Sequence, residues 1–124
     1  MTDHNKEAAV AFLELASSGK VRDAYSQFVG PDFRHHNPYF EGSAASLAAG
    51  MEENAGRYPN QLFEVKHVIA EGDWVAVHSR VRQQPGAPGA VVVHIFHFKN
   101  GRIVELWDVG QPEPEQSPNQ YGMF

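Results

Sequence analysis

Asp108, His94, His78 and His36 are the residues of this chain best suited to acid–base chemistry. A carboxylate stripped of water by apolar walls becomes a better base, so Asp108 could serve as one, or it could be a strand-end carboxylate paired with Arg80 or a backbone N–H. His78 and His94 stand in otherwise apolar strand-like sequence. Their imidazoles could polarise a carbonyl or stabilise an enolate, or each could be a satisfied core residue. His36 belongs to the stretch Phe33-Arg34-His35-His36-Asn37-Pro38-Tyr39-Phe40-Glu41-Gly42. That stretch is too polar for a core strand and too aromatic for an ordinary surface loop, and it reads as the mouth of a pocket. There His36 could hydrogen-bond a substrate oxygen or shuttle a proton. His35 is expected to point away, as a structural or exposed residue. The Tyr39 hydroxyl, beside His36, could donate to an oxyanion. Asn37, Tyr39, Phe40, Met51 and Leu106 are expected to contact the substrate. His36, His78, His94 and Asp108 together also have the composition of a Zn²⁺ or Fe²⁺ site, although no HxH or HxxxH spacing supports one.

Helices come first in the elements that must position these groups. Ala9, Phe12, Leu13 and Ala16 follow the i, i+3, i+4, i+7 rule and predict a helix from about Asn5 to Ser17. Val21, Ala24, Tyr25 and Phe28 predict a second, which Gly30-Pro31 should stop. Ser43 can cap a third, running to about Gly56. From Gln61 the period changes to two, predicting strands over 63–69, 74–82, 90–98 and 102–109. The tail, 111–124, is rich in Pro, Gln and Asn, yet its Tyr121, Met123 and Phe124 look like anchors. Three helices followed by a curved antiparallel sheet is an α+β layout, in one domain spanning 1–124.

The turn at Asn100-Gly101 decides which strand residues share the pocket face. A two-residue loop pairs His94 with Trp107. A three-residue loop with Gly101 as a bulge pairs Phe98 with Arg102, His94 with Leu106 and Val92 with Asp108. The second register is favoured because it sets His94 and Asp108 on one wall. His97 then faces the opposite side.

Composition narrows the rest. A net charge of −5 argues against a nucleic-acid partner. No apolar run approaches the roughly 20 residues of a membrane span. There is no cysteine, which removes disulfides and thiolate chemistry. The N-terminus lacks a signal-peptide pattern, so cytoplasmic residence is the default expectation.

Several segments carry a resemblance: His36-Asn37-Pro38 after two helices, Gly72 to Arg80, Phe98 to Val109, and the ending from Gln111-Pro112 to Gly122-Met123-Phe124. Together the chain resembles the SnoaL-like branch of the nuclear-transport-factor-2-like superfamily, which also holds polyketide cyclases and ketosteroid isomerases. The resemblance implies a cone of curved sheet closed by helices around an apolar pocket, and a homodimer formed through the sheet. It implies Asp108 as the last-strand carboxylate that serves polyketide cyclases as base. Asn37 stands where the isomerases carry Asp, and an amide takes no proton near neutral pH. His94 and His97 stand where the family often carries Asp and Arg. The expectation is a small, cofactor-free enzyme acting on an apolar carbonyl compound, by aldol-type cyclisation or isomerisation. The rivals are a non-catalytic ligand-binding or dimerisation module, and a metal-dependent enzyme using the histidines.

Overall fold

A computed structural model describes residues 2–124. Its elements are α1 (Thr2–Ser17), α2 (Val21–Phe28), β1 (Val29–His35), α3 (Ala44–Arg57), β2 (Leu62–Glu71), β3 (Trp74–Arg82), β4 (Gly89–Lys99) and β5 (Arg102–Pro112). The strands form one sheet in the order β1-β5-β4-β3-β2, antiparallel except where β1 runs parallel to β5. Among the described residues no helix is long and apolar enough to cross a membrane.

The apolar stripe of α1 packs on the sheet. Phe12 is wholly buried and meets Phe96 of β4 edge to face, ring centroids 6.0 Å apart. Burial of one such side chain stabilises the fold by about 1.5–3 kcal/mol. Tyr25 of α2 closes on Phe12 at 5.3 Å and on Phe33 of β1 at 6.0 Å. Ser43 caps α3, its hydroxyl oxygen accepting from the Ser46 N–H at 3.2 Å. Ser43→Ala should therefore cost about 1 kcal/mol, read as a lower midpoint in urea unfolding with an unchanged slope.

The sheet has one fifth strand that the sequence reading did not expect. Gly30-Pro31 does not end the chain's regular structure; both lie inside β1. Proline is tolerated there because β1 is an edge strand, and its pairing with β5 is irregular between Val29 and Arg34. A Cβ at Gly30 would lie 3.3 Å from Val104 Cγ1, a tight contact that would make Val104 give by a few tenths of an ångström.

The β4–β5 register also differs from the three-residue expectation. Asn100 and Gly101 both have positive φ, 54° and 78°, as a two-residue type I′ turn demands. Lys99 pairs with Arg102 and Phe98 with Ile103, but His97 pairs with Glu105. Val104 is therefore an extra residue, a bulge that advances the ladder by one. His94 comes to pair with Asp108 instead of Leu106 or Trp107. The two still share a face, because a bulge restores the parity that the two-residue turn alone would have reversed.

Candidate functional site

The inner face of the sheet carries Val75, Val77 and Ser79 on β3, Phe98, Phe96 and His94 on β4, and Leu106 and Asp108 on β5. Its hydrophobic end is filled by the helices. Past Phe96 and Leu106 the packing opens into a cavity of about 260 Å³. Leu13, Leu47, Met51, Phe40 and Phe63 give it apolar walls, while Asn37, His94 and Asp108 bring polar atoms to it.

The Asp108 carboxylate is oriented by the loop after β1. Its Oδ2 accepts from Asn37 Nδ2 at 3.0 Å. Asn37 cannot turn around, because its Oδ1 accepts from the Tyr39 N–H at 3.0 Å and a backbone N–H only donates. The loop is clamped in turn by His35, which is buried. His35 Nε2 donates to the Glu41 carbonyl at 2.5 Å, and its Nδ1 accepts from the Asn37 N–H at 3.1 Å. Those two bonds specify one neutral tautomer. His35 thus builds the mouth from beneath. The sequence offered a signal for it, two-residue alternation from Phe33 to His35.

His94 is the second polar group of the wall. Burial disfavours its charged form and lowers its pKa to about 4, against an opposing pull from Asp108. Its ring is neutral at physiological pH. Its Nδ1 is sealed from solvent and has no hydrogen-bond partner in the protein.

Other expected site residues lie elsewhere. His36 is on the outer face, because β1 continues to His35 and alternation sends the next side chain outward. Its Nε2 lies 2.6 Å from Glu105 Oε2 and its ring stacks on Trp107 at 4.7 Å. That bond, aided by Arg34, holds the Glu105 carboxyl below its usual range. His78 also faces outward, since Val77 and Ser79 on either side point into the core. It meets His67 with the two Nδ1 atoms 2.9 Å apart, beside the ring of Phe124. Tyr39 sits at the loop tip, 86% exposed, and does not line the cavity. Leu106 is core beneath the cavity, not part of its wall. The four supposed metal ligands are therefore divided between two faces of the sheet, and among the described residues no group of three or more such side chains could hold an ion. His97 stacks on Trp74 at 4.2 Å on the outer face, opposite His94. Arg80 pairs with Glu113, its Nε 2.6 Å from Oε1, and not with Asp108.

Asn54 and Gln61 line the cavity as well, and the sequence reading passed over both. One lies on α3 and the other just before β2, joined at 3.1 Å by a bond between elements that no local pattern shows.

Three helices layered on one mostly antiparallel sheet is a fold that this chain shares with other structures. An NTF-2-like protein from Burkholderia xenovorans has this fold, with a TM-score of 0.73 at 22% identity over 94% of this chain and 88% of that one. The chain belongs to the family described as the SnoaL-like domain, whose family model matches residues 9–106. AclR of Streptomyces galilaeus, provisionally named a hydroxylase, is similar with a TM-score of 0.75 at 24% identity, over 90% of this chain and 91% of that one. A protein of Jannaschia sp., provisionally named a SnoaL-like polyketide cyclase, is similar with a TM-score of 0.73 at 21% identity, over 90% and 88%. Among curated proteins, no sequence matches this chain.

Proposed function

We propose that this protein is a small-molecule enzyme that abstracts a proton beside a carbonyl and directs the enolate to aldol-type ring closure or isomerisation. One observation carries the reading: Asp108 and His94 adjoin one apolar cavity with hydrogen-bonding capacity unspent. Asn37 holds Oδ2 of Asp108, which leaves Oδ1 to take the proton. Neutral His94 can donate from Nε2, since Nδ1 is sealed, to the oxygen on which negative charge develops. The proton held by Asp108 then returns to the alkoxide of the closed ring, or to another carbon in isomerisation. Apolar walls such as Leu47 and Phe63 exclude water, which strengthens both interactions. The provisional names cyclase and hydroxylase among the structural neighbours agree with a small-molecule enzyme.

A non-catalytic module would have its ionisable groups consumed by mutual hydrogen bonds. The Asp108 carboxylate, which borders the cavity with only Oδ2 held by Asn37, favours the enzyme. Exchange separates the two. With 4-acetylbiphenyl in D₂O, an enzyme of this kind catalyses deuterium entry at the methyl group beside the carbonyl, seen by NMR. A binding module takes up the ketone and leaves the exchange at its buffer rate.

The outer face of the sheet supports a homodimer. Ile69 and Val109 are 68% and 65% exposed there, next to Trp74 and Trp107. Monomers seldom leave an apolar patch of this kind open. Ile69→Glu combined with Val109→Glu should convert a dimer into a monomer in sedimentation equilibrium. A wild-type protein of monomer mass would contradict the assignment.

A further inference from the structure

The cavity at Asp108 has a neighbour. A second hollow of about 390 Å³ lies between the end of α3 and the β3–β4 hairpin. Asn54, Gln61 and Val81 line both hollows, so the two adjoin along one shared wall. The strand pattern explains the alignment. Val92 and Ala90 follow His94 along β4 in steps of two, and both line the second hollow.

At the junction, two amides are oriented by their own bonds. The Ser17 carbonyl can only accept, and it takes an N–H from Gln61 Nε2 at 2.7 Å. Gln61 must then present its oxygen to Asn54, whose Nδ2 donates to it at 3.1 Å. Asn54 is left with its Oδ1 uncommitted by this chain of bonds, on a residue that borders both hollows. An oxygen fixed in this way accepts and cannot donate.

We propose that the protein takes an elongated ligand. Its carbonyl end lies at His94 and Asp108, its body extends past the junction into the second hollow, and a hydroxyl or N–H along it donates to Asn54 Oδ1. The placement of the carbonyl end rests on the function proposed above; the acceptor and the second hollow do not. Asn54 is then a specificity residue, brought to the junction by the fold that lays α3 (Ala44–Arg57) beside the sheet.

Calorimetric binding of three ketones tests this: acetophenone, 4-acetylbiphenyl and 4-acetyl-4′-hydroxybiphenyl. The hydroxylated biphenyl should bind wild-type protein about tenfold tighter than the plain one, the worth of one hydrogen bond. Asn54→Ala should erase that preference, so that the two biphenyls bind the variant equally. Ala90→Trp narrows the second hollow and should weaken both biphenyls but not acetophenone. Asp108→Asn should keep the hydroxyl preference whatever it does to turnover, so a failed base role would leave this proposal standing. Equal affinity of the two biphenyls for wild-type protein, binding of neither, or a preference that survives Asn54→Ala overturns it.

Discussion

Asp108→Asn is expected to lower turnover about 10³-fold with little change in stability. The magnitude is that of removing a positioned general base. The fold should tolerate the change because the substituted amide has nearly the shape of the carboxylate, and its oxygen can still accept from Asn37 Nδ2. The variant also keeps the apolar walls, so ligand affinity should stay close to wild type. A loss confined to kcat marks a group used in the transition state; a matching rise in KM would mean that Asp108 serves binding instead. Thermal unfolding within a few degrees of wild type would establish that the loss is chemical.

The second large effect concerns His94→Leu, which should move activity and stability in opposite directions. Removing a donor aimed at developing negative charge costs about 10²–10³ in kcat. Stability should hold or rise near pH 7, because the change deletes a buried nitrogen that has no partner and fills its place with apolar surface. The pH dependence gives a sharper signature. The folded pKa of His94, about 4, lies below its ordinary 6.5. Between those values the unfolded chain binds a proton that the folded protein refuses, so stability falls as pH falls. At pH 4.5 the loss from this one group is about 2–3 kcal/mol. Urea unfolding at pH 7 and pH 4.5 should show that loss in wild type and a smaller one in His94→Leu. Other acid-sensitive pairs, such as Glu105 with His36 and Arg34, contribute equally to both proteins and cancel in the comparison.

The contrast between His94 and His36 shows how far the sequence could be read. His94 was legible because β4 is one unbroken strand and Asp108 lies at matching parity on β5. The parity survived an incorrect loop length, since the bulge at Val104 compensated for the shorter turn. Nothing local marks Val104 as extra; bulges answer to the twist of the whole sheet. His36 was misplaced for a different reason. Gly30-Pro31 is a stop signal in most settings, and only the edge position of β1 makes it compatible with a strand. Once β1 exists, its alternation sends His35 inward and His36 outward. The helices and their boundaries came through well, because apolar spacing and the Ser43 cap are local features. The Asn54–Gln61 contact was beyond reach, as it depends on how α3 lies against β2.

The outer face has its own organisation. Trp74 with His97, Trp107 with His36, and His78 with His67 make three stacked pairs across it. Phe124 ends the tail beside His78, with Lys66 and Arg80 over its ring at 5.4 and 5.5 Å. Phe124 thus anchors the tail, whereas Tyr121, expected to do the same, is 81% exposed. The histidines that seemed to belong to chemistry are part of this aromatic surface, and the catalytic proposal is left to Asp108, His94 and the amide of Asn37.

Deuterium exchange into 4-acetylbiphenyl, compared between wild type and Asp108→Asn, tests the base assignment most directly. Exchange well above the buffer rate is expected in wild type, and exchange at the buffer rate in a folded variant that binds the ketone with wild-type affinity. Exchange by the variant at the wild-type rate would contradict the base assignment.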